Sequence, residues 1–425
     1  MIRLARLRLH RVTLSLKTAF RSAESTQRTK DTYLLGLEDS DGVVGWSEIS
    51  AQNDPSYWPE TVATCVEIIE HHLLERLTPS MASPDELHAA LRTVKGNQMA
   101  RASIEMAYFD LLARLMGISL WQLLGAAPGR THVPAGVSLS LADDVAQLAK
   151  DLGAIRRAGY RFAKIKIAPT SIEPLIALAR TPGLLADTQP WPCSERPNPE
   201  SPSPDSSGPD SSSRDRSGPD SSSRDRSGQP TQVHDDTLAL ENIVLDANGS
   251  FDASDLDAID TIDTLGFALL EQPLFEHDRV GNADLAQRLR TPIGLDESIG
   301  GVEDVITALR LGMRPTINLK PSRVGGYVES LKIIERCERE GLHLRIGGML
   351  ETGIGRAHNL ALASHPAFDR VGDLGASDHY FVTDVTEPFG LEPDGTIKRP
   401  SAIGLGRVPD PALLTQTPYL EFRIR

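Results

Sequence analysis

Three carboxylates recur at one interval along this chain. Asp246 stands in Leu245-Asp246-Ala247-Asn248, Glu271 in Leu270-Glu271-Gln272-Pro273 and Asp296 in Leu295-Asp296-Glu297-Ser298, and successive members are 25 residues apart. Each closes a short apolar run, at residues 243–245, 267–270 and 293–295. That interval is roughly one strand-plus-helix unit of a parallel α/β fold. If such units close into a barrel, the strand ends meet at one rim and three anionic oxygen donors converge. Such a donor set suits a divalent cation such as Mg²⁺, with Mn²⁺ able to substitute. A single carboxylate of this kind is more often a surface group or a helix cap; the common interval singles these out.

Lysines frame the set. Lys164 and Lys166 fall two apart in the run 161–167, so a strand turns both to one face and Ile165 to the other. Lys320, in Asn318-Leu319-Lys320-Pro321, lies 24 residues beyond Asp296, again one unit. On an edge strand these would be solvated lysines. Strands of a parallel barrel are buried on both faces, where inward lysines are costly without a task. Mutual repulsion and a nearby cation are expected to lower an ammonium pKa, giving a general base near neutral pH. The expected chemistry is removal of the proton α to a metal-bound substrate carboxylate, with the enediolate stabilised by the metal charge.

The elements that must position these residues follow from period and punctuation. Strand candidates at 133–141, 161–167, 243–246, 268–271, 293–296, 316–320, 344–347 and 370–374 alternate with helical segments and predict eight parallel barrel strands. Before them, residues 4–16 and 32–48 read as antiparallel strands, the second turning at Asp41-Gly42, followed by helices at 59–76, 84–93 and 98–112. In the last of these Tyr108 shares an apolar face with Ile104, Ala107 and Leu111 and is expected in the core. Residues 396–398 and 419–424 return to strand patterns. The predicted fold class is α/β, a modified (β/α)8 TIM-type barrel over 131–384, with an N-terminal α+β capping domain over 1–130 that about 385–425 rejoins.

One interval breaks the rhythm. Lys166 to Asp246 is 80 residues, an excess of 55 over the next step (80 − 25). Residues 182–236, dense in Pro, Ser, Asp and Gly, account for it; Ser-Gly-Pro-Asp-Ser-Ser-Ser-Arg-Asp-Arg occurs twice there, at 207–216 and 217–226. Such composition cannot offset its own ordering entropy and predicts a disordered insertion. It falls in a helix-to-strand connection, on the rim away from the chemistry.

Composition limits the rest. With 58 acidic and 44 basic residues the formal net charge is −14, which argues against a non-specific nucleic-acid binder. The three cysteines, Cys65, Cys193 and Cys337, are too few and too scattered for a disulfide framework or a zinc site. No apolar run has the length of a membrane span, and residues 1–16 alternate basic and apolar positions as a strand does, unlike a signal peptide. A cytoplasmic enzyme is expected, acting on a small-molecule carboxylate, with no nucleic-acid or membrane partner and with a homo-oligomer left open.

The Lys-x-Lys pair, the Asp/Glu/Asp set, Lys320 and the segment Gly347-Gly348-Met349-Leu350-Glu351-Thr352-Gly353 resemble the enolase superfamily, muconate-lactonising-enzyme subgroup. Residues 100–110, 269–274, 295–299, 320–327 and 375–389 extend the likeness to the branch shared by o-succinylbenzoate synthases and N-succinylamino acid racemases. Lysine or histidine bases beside Mg²⁺ are already the general pattern of that superfamily. The resemblance implies a capped, enolase-like barrel, Mg²⁺, and dehydration of 2-succinyl-6-hydroxy-2,4-cyclohexadiene-1-carboxylate to o-succinylbenzoate in menaquinone synthesis.

By the same resemblance Lys166 is the base. Lys320 stabilises the enediolate, or acts as the opposite acid/base in a racemase. Lys164, Asn248, Ser138, Met349 and Glu351 match substrate-lining positions. Asn248 reads equally as a turn residue before Gly249, and Ser138 as barrel filling. Glu297 is expected on the opposite strand face. The loops 18–26 and 51–59, with Phe20, Tyr57 and Trp58, match a cap that excludes water. Racemisation of N-acylated amino acids or epimerisation of dipeptides needs the same metal and lysines and stays open beside dehydration. A non-catalytic metal scaffold would not retain both lysines and all three ligands, and a Schiff-base lyase would not need three metal carboxylates.

Overall fold

The computed structural model describes residues 2–21, 25–142, 144–181 and 240–425. The expected insertion and Cys193 lie outside the described residues.

The chain opens with a long antiparallel hairpin, β1 (Leu4–Arg21) and β2 (Thr26–Asp39), against which β3 (Val44–Glu48) pairs. In β1 the buried positions Leu7 and Leu9 are followed by His10, Val12 and Leu14, so the two-residue alternation changes phase near His10. The phase change has a packing cause. Leu7 and Leu9 belong to the core between this sheet and the helices that follow, whereas Val12 and Leu14 belong to the barrel core. One strand therefore ties the two layers together. The helix Gln98–Met116 lies between them and is buried along most of its length, Tyr108 included.

Strands β4 (His132–Pro134), β5 (Val137–Leu139), β6 (Ala163–Lys166), β7 (Ile243–Asp246), β8 (Leu269–Glu271), β9 (Ile293–Leu295), β10 (Thr316–Leu319) and β11 (Leu344–Ile346) follow, then β12 (Thr396–Lys398) and β13 (Tyr419–Arg423). Seven of them, β5 to β11, form one parallel sheet in chain order, with helices such as Val145–Arg157, Val302–Arg310 and Tyr327–Glu340 between them. β13 returns to pair antiparallel with β1, from Arg6 opposite Arg423 to His10 opposite Tyr419.

Register does much of the positioning. Lys166 pairs with Asp246 across β6 and β7, and Asp246 with Glu271 across β7 and β8, so three functional candidates stand side by side at one sheet end. The helix Ile172–Arg180 precedes the insertion, and Ile243, at the start of β7, lies at the opposite end of the sheet from Asp246.

Two strand expectations need correction. The first predicted barrel strand, 133–141, is two strands: β4 pairs with β12, and β5 joins the barrel sheet. The eighth, 370–374, forms no ladder, although Arg370 donates its backbone N–H to Leu344. The cause of both is a close approach. A Cβ on Gly372 would lie 2.1 Å from the Ile346 carbonyl oxygen, and one on Gly136 would lie 2.3 Å from that of Gly372. The segment runs between β11 and β5 with its backbone too tightly held for a regular strand. No helix among the described residues is long and apolar enough to cross a membrane.

Candidate active site

Asp246, Glu271 and Asp296 converge as their spacing predicted. One oxygen from each lies within 4.8 Å of the others, and all three residues are fully buried. Asp246 and Glu271 end β7 and β8; Asp296 follows β9 directly.

Basic side chains surround the carboxylates. Lys164 Nζ lies 2.5 Å from Glu271 Oε1, 3.1 Å from Asp246 Oδ2 and 3.0 Å from Asp373 Oδ2. Lys166 Nζ donates to Asp246 Oδ2 and to Asn248 Oδ1, both at 2.7 Å. From the far side Lys320 Nζ donates to Asp296 Oδ2 at 2.8 Å and to Tyr57 Oη at 2.7 Å. Arg323 is hydrogen-bonded to Asp296 and to Tyr57, and Arg345 Nη1 lies 3.2 Å from Glu271 Oε2.

These charges order the site's titration. Burial would raise the Asp246 and Asp296 carboxyls, but the lysines beside Asp246, and Arg323 and Lys320 beside Asp296, hold both well below the usual range. Burial dominates at Glu271, which is pushed up to about 7 against the pull of Lys164. Burial also favours neutral Lys164, yet Asp246, Asp373 and Glu271 together hold its ammonium well above the ordinary lysine value. Three carboxylates together outweigh the desolvation of this lysine.

The donor set fits a divalent metal. All three ligands are oxygens, as hard cations require, and Glu271 Oε2, although ion-paired with Arg345, accepts no hydrogen bond among the described residues.

A cleft of about 650 Å³, part of it open solvent, lies over these groups. Phe20, Tyr57, Ser138, Lys166, Asn248, Lys320 and Met349 line it, together with Gly348, Leu350, Arg356, Asp373 and Tyr380. Of the expected loop 18–26, residues 18–21 belong to β1 and Thr26 opens β2, with Phe20 opposite Gln27, while residues 22–24 lie outside the described residues. Trp58 does not line the cleft: it sits under Arg323, 5.9 Å from ring centroid to guanidinium, and its indole N–H donates to Glu60 at 3.3 Å. Glu351 is buried behind the wall, accepting from the Met349 N–H at 2.7 Å and from Asn359 at 2.8 Å. Ser138 Oγ donates to Asp373 Oδ2 at 3.4 Å.

Asn248 is the turn residue expected before Gly249, and its side chain also faces the site. Its φ of 46° is left-handed, as a turn before Gly249 requires, and its side chain bridges Lys166 and Glu297. Glu297 is not on the opposite face: its Oε1 accepts from Asn248 Nδ2 at 2.9 Å, and burial beside Asp296 and Asp246 raises it to about 7. β9 has ended at Leu295, so strand alternation no longer governs residue 297. Asp373, Arg323, Arg345 and Asn318 were not picked out by the spacing. Asn318, which donates to Glu271 Oε1 at 2.8 Å, carried a usable signal, since it lies two residues before Lys320 on the same strand face.

The family comparisons agree with this geometry. Residues 6–125 match the mandelate racemase / muconate lactonizing enzyme N-terminal domain, and residues 231–413 the enolase C-terminal domain-like family. The chain is 32% identical to an o-succinylbenzoate synthase of Bacillus subtilis (96% of this chain, 94% of that one) and 33% identical to an N-succinylamino acid racemase of an Amycolatopsis species (98% and 97%). A crystal structure of an enolase-superfamily member from Listeria innocua superposes with a TM-score of 0.80 at 28% identity, covering 100% of both chains. The chain belongs to the enolase superfamily, muconate-lactonising-enzyme subgroup, in the branch that joins o-succinylbenzoate synthases and N-succinylamino acid racemases.

Proposed function

We propose that this chain is an o-succinylbenzoate synthase, a hydro-lyase that dehydrates 2-succinyl-6-hydroxy-2,4-cyclohexadiene-1-carboxylate to 2-succinylbenzoate in the menaquinone pathway of the cytoplasm. The observation that carries the reading is the pair Lys166 and Lys320, each held by its own carboxylate on either side of one buried Asp/Glu/Asp set. Lys166 removes the ring proton α to the carboxylate and returns it to the departing hydroxyl. The C–H and C–O bonds break, water leaves and the ring becomes aromatic. Lys320, fixed by Asp296 and Tyr57, offers a positive charge to the developing enediolate from the opposite side. Asp246, Glu271 and Asp296 would hold Mg²⁺, which when bound supplies the charge that lowers the energy of the enediolate.

A second reading has its own support. Two lysines on opposite sides are what two-sided proton transfer at an α-carbon requires, and relatives carry both names. Racemisation of N-succinylamino acids is therefore proposed as a companion activity. Assaying the Mg²⁺-loaded full chain with the cyclohexadiene substrate and with N-succinylamino acids tests both. Turnover of neither would overturn the proposal.

A further inference from the structure

Glu48, the last residue of β3, reaches from the cap to the barrel. It is buried, and its Oε2 accepts from the Thr352 N–H at 3.1 Å, from the Gly355 N–H at 3.1 Å and from the Thr352 hydroxyl. These donors open the helix Gly353–Ala363, whose first N–H groups have no partner within the helix. Gly353 donates instead to Asp384 Oδ1 at 2.8 Å and Ile354 to the Thr352 hydroxyl oxygen at 3.2 Å. The cap thus supplies part of the capping of a barrel helix. A Cβ on Gly355 would lie 2.8 Å from Glu48 Cδ, so glycine there lets the carboxylate approach.

The residues just before this helix are the cleft wall. Gly348, Met349 and Leu350 line the cleft, whereas Glu48 does not. Met349 packs into the core of the cap rather than that of the barrel. Leu350 has a φ of 57°, a left-handed conformation that a leucine keeps only where its surroundings enforce it. It stands between two fastenings to the cap, Met349 on one side and Thr352 on the other. Burial, helped by Glu351, pushes the Glu48 carboxyl up to about 7 against the pull of Lys30 and of the Thr352 and Gly355 hydrogen bonds. A neutral group of the same shape therefore suits the position. Lys30, itself buried, donates to the carbonyls of Ser50 and Ala51 at 3.2 and 2.9 Å, so the start of the loop 51–59 is tied to the same place.

We propose that Glu48 is a positioning residue that fastens the cleft wall 348–350 to the cap, so that substrate affinity is set in part by a carboxylate that never touches the substrate. The inference rests on the reading of this cleft as the substrate site. Without the fastening Leu350 relaxes from its left-handed conformation, and the wall holds its binding position for only a fraction of the time. Apparent affinity falls by that fraction. Chemistry on bound substrate is spared, because Lys166, Lys320 and the three carboxylates are held by barrel strands and by one another.

The test takes the Mg²⁺-loaded full chain, wild type and Glu48→Ala, Glu48→Gln and Gly355→Ala. Kinetics on the cyclohexadiene substrate would be measured beside hydrogen exchange of residues 347–356 without substrate. Glu48→Ala should raise KM about ten-fold or more while kcat changes less than about threefold. Its amides over 347–356 should exchange faster, with those of β6 to β9 unchanged. Gly355→Ala keeps the carboxylate but displaces it and should do the same. Glu48→Gln keeps an acceptor of equal reach and should bring KM back to within about threefold of wild type. A merely structural residue would lower the melting temperature and leave KM alone, so unchanged KM or unchanged exchange in Glu48→Ala overturns the proposal. If the alanine variants do not fold, wild-type exchange decides. Thr352 and Gly355 amides as slow as those of β3 support the fastening, and exchange at the rate of an exposed loop overturns it. Turnover of no proposed substrate would remove the reactions and leave exchange to judge the fastening; turnover with unchanged KM and exchange in Glu48→Ala would do the reverse.

Discussion

Lys166 Nζ sits 2.7 Å from Asn248 Oδ1, and Asn248 passes its own amide to Glu297 Oε1 at 2.9 Å. The ammonium is thereby aimed by a side chain that is itself fixed by a turn. Asn248→Ala should lower kcat about 10- to 100-fold, the usual worth of a hydrogen bond to a charged group. Asn248→Gly keeps the left-handed turn, so it should lose the same activity with less loss of stability. Kinetics and thermal melts on both variants check this; a kcat within twofold of wild type in Asn248→Gly would contradict it.

Metal affinity should depend on pH through Glu271. Burial places this carboxyl near 7, so protons compete with the cation below that value. Mg²⁺ affinity is expected to weaken as pH falls below about 7 and to level off above it, by calorimetric titration. Chelation should stop turnover and Mg²⁺ should restore it. Affinity constant from pH 6 to 8, or full activity after chelation, would contradict the ligand assignment.

Most of this site was legible because a strand's side-chain period is two and a barrel unit has a near-constant length. Asp246, Glu271, Asp296, Lys166 and Lys320 each end or follow a strand, and parallel register aligns the ends. What escaped the sequence lies where those regularities stop. Glu297 comes after β9 has ended, and Asp373 sits in the segment 370–374, whose backbone is pressed between Gly136 and Ile346 and forms no ladder. Arg323 and Arg345 are buried by pairing with Asp296 and Glu271, a long-range complementarity that no local pattern encodes.

The junction between cap and barrel should be acid-sensitive through His358. Its ring is fully buried, with Nε2 against the Trp46 carbonyl at 2.8 Å and Nδ1 against the Tyr327 hydroxyl at 2.8 Å. The Trp46 carbonyl can only accept, so Nε2 carries the proton and Nδ1 accepts from the Tyr327 hydroxyl. Burial lowers the pKa from 6.5 to about 4. A lowered folded-state pKa contributes stability that is present above 6.5 and lost as pH falls towards 4, on the order of 3 kcal/mol at full extent. Denaturation of wild type and His358→Gln across that window should diverge by about this amount. Parallel pH profiles would rule the residue out.

Deleting residues 182–236 should leave the catalytic rate nearly unchanged. The helix Ile172–Arg180 and the start of β7 flank this segment, and Ile243 lies at the sheet end away from Asp246. A well-folded deletion with a large loss of rate would place the segment at the active rim.

Solvent deuterium exchange at the α-carbon tests the division of labour between the lysines most directly. Both stereoisomers of an N-succinylamino acid would be incubated in D₂O with wild type, Lys166→Ala and Lys320→Ala, and dehydration of the cyclohexadiene substrate followed in parallel. Lys166→Ala should neither dehydrate nor exchange the isomer whose proton faces residue 166. Lys320→Ala should still exchange that isomer but not its mirror image, and should dehydrate about a hundred-fold or more slowly for want of its charge. Exchange of both stereoisomers at the wild-type rate by Lys166→Ala would contradict the assignment of Lys166 as the base.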